Sequence, residues 1–206
     1  RFVRIDQDKS SIELLKDGMW IDLGGIAKGY AIDEALAELR KRGISRALVD
    51  AGGDVGLGDP PPDRPSWTVG VAPLDPEADP SILLSLAIVA VATSGDMWQY
   101  VEIDGRRYSH IVDPRTGVGL TDHSSVTVIA PDATTADGLA SAVSVMGPEK
   151  GIQLIDATPQ TAALIMRAPR GKIETYRSQR WSTVRAGDSA GATKPTGSVH
   201  REGGSR

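Results

Sequence analysis

The chain has 206 residues, a formal net charge of −4 and 40% hydrophobic residues, which suits one globular domain with a core of its own. The acidic balance and the scarcity of aromatic residues, with one Phe, four Trp and four Tyr, argue against nucleic-acid binding through basic patches or stacking platforms. The absence of cysteine excludes disulfides, iron–sulfur clusters and thiolate zinc sites.

Short strands and helices follow one another in an irregular order, which favours an α+β fold over a doubly wound parallel sheet. Apolar patterning predicts strands at 1–6, 11–15, 46–50, 67–72, 82–92, 98–103, 107–111, 124–130, 162–166 and 172–176. Helical spacing predicts helices at 26–42, 135–146 and 148–155. The stretch from Thr93 to Asp96 is expected to break the strand pattern, and Asp104-Gly105 predicts a tight hairpin turn.

The composition changes near Arg185. From there to residue 206 the chain consists largely of Gly, Ser, Ala, Thr and charged residues, with almost no apolar ones. Such a segment cannot bury enough apolar surface to offset the entropy of ordering its backbone. We therefore predict a single domain at 1–184 and a disordered tail at 185–206.

A glycine-rich stretch, Gly24-Gly25-Ile26-Ala27-Lys28-Gly29, leads into the first predicted helix. Glycines allow a close approach of the backbone, and the free N–H groups at a helix start bind phosphate. Lys28 stands at the positive end of the helix dipole, where a cation is disfavoured unless an anion lies beside it. The spacing is neither the P-loop nor the Rossmann fingerprint, so a tight turn with a solvated lysine is the alternative. The pair Gly52-Gly53 allows the same two interpretations.

Two polar patterns could carry chemistry. Asp137 and Ser141 are four residues apart on a predicted helix, so their oxygens share one face and suit a hard cation such as Mg²⁺. The alternative is an aspartate that merely favours the start of its helix. His110 ends a strand before a Pro-Arg-Thr-Gly turn, where it is either a proton acceptor, a phosphate partner or a structural residue.

Five blocks taken together resemble one known family. In chain order they are DLGGIAKGYAIDEA, LVDAGGDV, ATSGD, YSHIVDPRTG and TADGLASAVSVMG, and the similarity runs from about residue 11 to residue 176. They resemble the ApbE flavin transferases, which move FMN from FAD onto a Thr or Ser hydroxyl of an acceptor protein and release AMP. Some members of that family instead hydrolyse FAD to FMN and AMP.

The resemblance implies an ApbE-like, T-fold-related α+β domain of mixed sheets and packed helices, with a Mg²⁺ requirement. The implied metal ligands are the backbone carbonyl of Ala27, the Asp137 carboxylate and Ser141, which replaces a family Thr. Ser keeps the oxygen but lacks the methyl group that restricts the side-chain rotamer. Asp137 is expected to face the cleft rather than the core. The residues implied to contact FAD are Gly24, Gly25, Lys28, Gly29, Gly52, Gly53, Thr93, Ser94 and His110.

The implied chemistry is attack of a hydroxyl on a pyrophosphate phosphorus, for which positioning and electrostatics do most of the work. A hydroxyl is a poor nucleophile at neutral pH, so a nearby base helps, and His110 and Asp96 are both candidates. FMN transfer is the first interpretation. An FAD pyrophosphatase that uses water as the nucleophile, and a flavin-binding module without turnover, are the alternatives.

Two departures from the family pattern concern the ends of the chain. Relatives carry an upstream segment that this sequence lacks, so we expect an N-terminally truncated form of the domain. Acceptor proteins carry Asp followed by a Ser/Thr-Gly-Ala-Thr core. The tail reads Asp188-Ser-Ala-Gly-Ala-Thr193, with Ala190 where Ser or Thr is usual and the aspartate one residue too close. Self-flavinylation at Thr193 is the resulting hypothesis, and chance occurrence in a biased tail is the alternative. By family analogy the protein is expected to be exported, periplasmic or membrane-associated.

Overall fold

The computed structural model describes residues 2–75, 78–97 and 99–187. Its strands are β1 (Val3–Asp6), β2 (Ser11–Leu14), β3 (Leu48–Ala51), β4 (Asp54–Leu57), β5 (Trp67–Gly70), β6 (Leu83–Leu86), β7 (Ala90–Gly95), β8 (Tyr100–Ile103), β9 (Arg106–Ser109), β10 (Val112–Asp113), β11 (Val118–Gly119), β12 (Ser124–Ala130), β13 (Ala162–Arg167) and β14 (Glu174–Arg177). Its α-helices are α1 (Ala27–Lys41), α2 (Ala133–Met146) and α3 (Pro148–Ala157). None of the helices in the described residues is both long enough and apolar enough to cross a membrane.

A six-stranded antiparallel sheet in the order β14-β13-β12-β7-β4-β3 forms the centre of the domain. Residues of α1, α2 and α3 pack on one face of this sheet. The other face is covered by the β5–β6 hairpin and by the segment that contains Trp181. Antiparallel strands with helices gathered on one face define the α+β class, so that prediction is confirmed.

Alternation along the central strands separates the two cores. In β12, Val126, Val128 and Ala130 pack against the helices, whereas Ile129 belongs to the opposite core. The same alternation in β7 directs Ala90 and Ala92 toward the helices. The predicted boundaries of the β12 strand are confirmed at both ends, because its run of apolar residues is bounded by polar ones.

The prediction of one strand at 82–92 is wrong, because the structure divides this run into β6 and β7. Ile88 lies between them with a φ of 57°, a left-handed conformation that interrupts an extended strand. An apolar run gives no warning of such a bend. The expected break at Thr93–Asp96 is also wrong for its first three residues, since β7 continues to Gly95 and pairs with β12.

Other differences lie at element boundaries. Strand β4 was not predicted, because its sequence Asp-Val-Gly-Leu is short and carries a charge and a glycine. Helix α2 begins two residues before its predicted start, since the Asp132 side chain accepts a hydrogen bond from the Thr135 N–H at 2.7 Å and caps it. The β8–β9 hairpin around Asp104 and Gly105 is confirmed, and these residues have φ angles of 51° and 71°.

The first residues of the segment that we predict to be disordered pair with the domain. Ala186 forms a bridge with Leu84, and the Gly187 N–H donates to the Leu83 carbonyl at 2.8 Å. Residues 185–187 therefore extend the β5–β6 hairpin by a short antiparallel contact. Thr193 and the rest of the predicted tail lie outside the described residues.

Candidate functional site

Helices α1 and α2 approach each other very closely at their N-terminal ends. A Cβ atom on Gly29 would lie 2.2 Å from the Ala133 carbonyl oxygen, so only glycine fits at this crossing. One turn further along α1, the Asp33 carboxylate accepts hydrogen bonds from the Ala133 and Thr134 N–H groups, both at 2.8 Å. Because Asp33 satisfies the free N–H groups at the start of α2, the position of one helix fixes the other.

This crossing brings Lys28 of α1 against two buried carboxylates. The Lys28 ammonium forms an ion pair with Asp54 at the start of β4, and its Nζ lies 3.4 Å from Oδ1 of Asp137 on α2. Asp54 and Asp137 are each only 2% exposed. The Gly29 N–H donates to Oδ2 of Asp137 at 3.1 Å, and the Thr93 N–H donates to Oδ1 of Asp54 at 3.0 Å. We call Lys28, Asp54 and Asp137 the lysine group.

The lysine group explains the cation at the positive end of a helix. Burial lowers the pKa of Lys28, but the hydrogen bond and charge of Asp54 and the charge of Asp137 outweigh it, and the pKa is raised. Burial also raises the pKa of Asp54 and outweighs the lowering caused by Lys28. Two carboxylates beside one ammonium leave one net negative charge when all three groups are ionised. The lysine thus neutralises protein carboxylates, and the group can still attract a further cation.

Two hydroxyl groups lie next to the lysine group. Ser94 Oγ in β7 is 3.2 Å from Ser141 Oγ in α2, one helical turn after Asp137. A Cβ atom on Gly25 would lie 3.4 Å from Ser141 Oγ, so the glycine-rich loop also reaches this point. The structure therefore brings together the loop before α1, the end of β7 and the side of α2 that carries Asp137 and Ser141.

The metal ligands implied by the resemblance fit this arrangement. Asp137 offers a carboxylate, Ser141 a hydroxyl and Ala27, the first residue of α1, a backbone carbonyl; hard oxygen donors of this kind suit Mg²⁺. Among the described residues, no group of three or more His, Asp or Glu side chains could hold a metal ion by itself. A metal here would need the hydroxyl and carbonyl oxygens as well as the carboxylate. The expectation that Asp137 faces the cleft rather than the core stays a prediction; Asp137 is only 2% exposed, and its carboxylate contacts the Gly29 N–H and Lys28.

Asp54 is the residue of this site that the sequence did not identify. It lies in the block LVDAGGDV, of which only the glycines were selected. Gly52 and Gly53 have φ angles of 66° and 95° and form the turn that leads from β3 into β4, so they set the position of Asp54. Asp54 and Gly56 point to the same face of β4, and Gly56 packs on α1, so the burial of Asp54 depends on a contact that the sequence does not show.

The hydroxyl of Thr93 points away from the lysine group. Its Oγ1 lies 3.0 Å from Oγ1 of Thr127 in β12, whereas the neighbouring Ser94 contacts α2. Successive side chains of a strand point to opposite faces, so Thr93 reaches the candidate site only through its backbone N–H.

His110 belongs to a second set of contacts, around the β8–β9 hairpin. Its Nδ1 lies 3.1 Å from the Gln99 carbonyl oxygen, and its backbone N–H donates to the same oxygen at 3.1 Å. A carbonyl only accepts hydrogen bonds, so Nδ1 carries the hydrogen and Nε2 of the neutral ring has a free lone pair. The exposed His110 is thus prepared to accept a proton at Nε2.

Asp96 is engaged on both carboxylate oxygens and is only 2% exposed. Its Oδ2 lies 2.7 Å from Nε of Arg107, and its Oδ1 lies 2.9 Å from Nδ1 of His123. The Ser124 N–H also donates to Oδ1 at 3.0 Å. Because donors surround this buried carboxylate, the geometry favours His110 over Asp96 as the base.

Solved structures of ApbE proteins have the same fold. The flavin transferase ApbE from Vibrio cholerae, solved as a histidine-to-glycine mutant, aligns over 89% of this chain and 58% of its own, with a TM-score of 0.77 and 30% identity. The ApbE protein from Thermotoga maritima aligns over 88% of this chain and 58% of its own, with a TM-score of 0.74 and 38% identity. The fold and the site therefore define an ApbE-type domain.

Sequence comparisons give the same family. The ApbE family profile matches residues 1–165, and the chain belongs to the ApbE family. The FAD:protein FMN transferase of Treponema pallidum is 37% identical over 185 residues, which cover 81% of this chain and 51% of that protein. The protein of the same name from Vibrio cholerae is 35% identical over 155 residues, covering 74% and 46%. The chain thus spans about half the length of the curated relatives it matches.

Proposed function

We propose that this protein is a Mg²⁺-dependent FMN transferase, which moves FMN from FAD to a Ser or Thr hydroxyl of an acceptor protein and releases AMP. The observation that carries the proposal is the lysine group, with its excess negative charge, beside the Ser94 and Ser141 hydroxyls and the glycine-rich loop. Membership of the ApbE family supplies the substrate class.

In this proposal the pyrophosphate of FAD binds at the start of α1. The backbone of Gly24 and Gly25 allows the phosphate oxygens to come close, because these residues carry no side chain. Asp137, Ser141 and the Ala27 carbonyl would hold Mg²⁺, which when bound neutralises charge on the pyrophosphate and on the departing AMP. Lys28, with its charge already shared between Asp54 and Asp137, adjusts the local potential.

The reaction exchanges one phosphorus–oxygen bond for another. The acceptor hydroxyl oxygen forms a bond to the FMN phosphorus, and the bond from that phosphorus to the bridging oxygen breaks, so AMP leaves with the bridging oxygen. The hydroxyl proton passes to Nε2 of His110, whose other nitrogen is held by the Gln99 carbonyl. A base of this kind contributes about 10²–10⁴-fold to the rate.

One experiment separates this function from its two alternatives. The full chain is incubated with FAD, Mg²⁺ and a peptide that contains a Ser/Thr-Gly-Ala-Thr core, and the products are analysed by mass spectrometry and chromatography. Equal amounts of AMP and flavinyl peptide support transfer. AMP with free FMN indicates FAD hydrolysis, and bound FAD without AMP indicates a flavin-binding module.

Matched controls identify the acceptor group. A peptide with alanine in place of the last threonine should release no AMP above the rate without peptide. The chain with Thr193→Ala, incubated without peptide, tests self-flavinylation, because an FMN adduct on the protein that survives this substitution excludes Thr193. Location outside the cytoplasmic membrane stays a proposal by family analogy, and cell fractionation tests it.

A further inference from the structure

The buried Asp96 carboxylate connects three segments that are distant in sequence. It follows β7, and it contacts Arg107 of β9 and His123, which immediately precedes β12. His123 also contacts a loop that lies 49 residues earlier in the sequence, since its Nε2 is 3.1 Å from the Leu74 carbonyl oxygen. We call Asp96, Arg107 and His123 the aspartate group.

The two neighbours of the His123 ring define its protonation state. Nδ1 faces the Asp96 carboxylate at 2.9 Å, and Nε2 faces the Leu74 carbonyl at 3.1 Å. Neither partner carries a hydrogen to donate, because Asp96 is ion-paired with Arg107 and a carbonyl oxygen only accepts. Both ring nitrogens must therefore donate, and only the imidazolium form does so.

Arg107 connects Asp96 to the β8–β9 hairpin, which leads into His110. Its Nη2 donates to the Asp96 backbone carbonyl at 2.5 Å, and its guanidinium stacks 3.4 Å from the ring centre of Tyr100. Tyr100 and Arg107 lie on the two strands of the hairpin, which continues into His110. Gln99, whose carbonyl holds the His110 ring, is the residue before Tyr100.

We infer that His123 is an imidazolium that, together with Arg107, makes Asp96 a positioning residue for His110. The aspartate group fixes the β8–β9 hairpin to the end of β7, which carries Ser94, and thereby holds His110 with its hydrogen on Nδ1. The importance of this positioning for catalysis rests on the proposed function. The protonation state of His123 and the tautomer of His110 do not.

Several charged groups lie near the His123 ring. Besides Asp96 and Arg107, the neighbouring charges include the ion pair of Asp122, the residue before His123, with Arg167 at the end of β13. Asp75 and Asp79 follow Leu74 in its loop. A ring with only one N–H would leave a lone pair facing either Asp96 or the Leu74 carbonyl. One of the two His123 contacts would then be lost, whereas Arg107 and the Ser124 N–H would still hold Asp96.

Nitrogen NMR of the ¹⁵N-histidine-labelled full chain tests the inference directly. His123→Gln assigns the His123 signals, and His110→Gln assigns those of His110. At pH 7 we expect both ring nitrogens of His123 in the protonated range, and a protonated Nδ1 with a free Nε2 for His110. A His123 ring with one unprotonated nitrogen would overturn the inference.

Asp96→Asn tests the positioning role, with Glu102→Gln as a control that removes one charge from the exposed face of the same hairpin. We expect the single tautomer of His110 to become a mixture in Asp96→Asn and to persist in the control. His123→Gln gives a second test if Asp96→Asn does not fold. An unchanged His110 tautomer in the folded variants would refute the positioning role. Absence of AMP release would contradict only the proposed function, because these spectra need no turnover.

Discussion

The lysine group and the aspartate group balance charge in opposite ways. In the lysine group, Asp54 and Asp137 share a single ammonium that is itself nearly half exposed, with 45% of the Lys28 side chain accessible. In the aspartate group, one carboxylate is surrounded by Arg107, His123 and a backbone N–H. Buried charge without full compensation is costly unless a ligand completes it, whereas a surrounded charge fixes structure. The contrast separates a site that we propose to bind a cation from one that we propose to orient its surroundings.

The largest effect is expected from Asp137→Asn. The amide keeps an oxygen for the Gly29 N–H but removes the charge, so the proposed Mg²⁺-dependent AMP release should fall about 10³-fold, as when a main electrostatic contact is lost. The rate at saturating Mg²⁺ is the measurement. Asp132→Asn, which keeps the cap of the same helix, is the matched control and should leave the rate unchanged. Equal rates in the two variants would contradict the metal assignment.

Lys28→Met should give the largest loss of stability. This substitution leaves Asp54 and Asp137 buried without their cation. We expect the free energy of unfolding in EDTA to fall by about 3 kcal/mol. This value is at the lower end for a broken buried ion pair, because the Lys28 side chain is partly solvated. Mg²⁺ should restore part of this loss. Urea denaturation with and without Mg²⁺ measures both effects. Lys41→Met, which removes an exposed ion pair on the same helix, should cost under about 0.5 kcal/mol.

Arg107→Met should destabilise the protein less than Lys28→Met. Asp96 keeps His123 and the Ser124 N–H as partners, so we expect the free energy of unfolding to fall by about 2 kcal/mol, as for loss of one hydrogen-bonded charge. The same urea experiment measures it, with the exposed Arg106→Met as the control. A loss larger than that of Lys28→Met would reverse the comparison between the two groups.

The smallest effect is expected from Ser141→Thr. Ser141, a proposed metal ligand, contacts Ser94, and the added methyl group would limit its side-chain rotamers. The Mg²⁺ concentration for half-maximal AMP release should therefore fall by about threefold or less, which corresponds to a change of under about 1 kcal/mol in the free energy of Mg²⁺ binding. Titration of the rate with Mg²⁺ measures this shift. An increase would mean that the hydroxyl is needed in the rotamer that Ser94 holds.

Local patterns predicted the elements of the fold more completely than the contacts of the site. The Asp104-Gly105 turn and the run of β12 contain their own signals, so both were predicted from a few adjacent residues. The partners of Lys28 are 26 and 109 residues away, and no local pattern relates them. The phosphate interpretation of Lys28 missed them, because the helix dipole indicates that an anion is nearby but not which one.

The aspartate group also depends on contacts that the sequence does not show. Asp96 and His110 were both selected as bases, since residue type and position fit either. Asp96 differs from His110 in being buried and in having charged partners. Both differences arise because Arg107 and His123 fold against Asp96. His123 lies in a polar stretch of the sequence that does not indicate a role for it, because its contact with the Leu74 carbonyl exists only in the folded chain.

The capping of α2 by Asp33 also has a consequence for how the protein opens. Separation of α1 from α2 would strip the first N–H groups of α2 of their acceptors and expose the contact at Gly29 in the same event. The two helices therefore form one cooperative unit, whose amide hydrogens should exchange with solvent together. The backbone positions of Lys28 and Asp137 therefore stay matched for as long as this unit is closed, and only the Lys28 side chain can move independently.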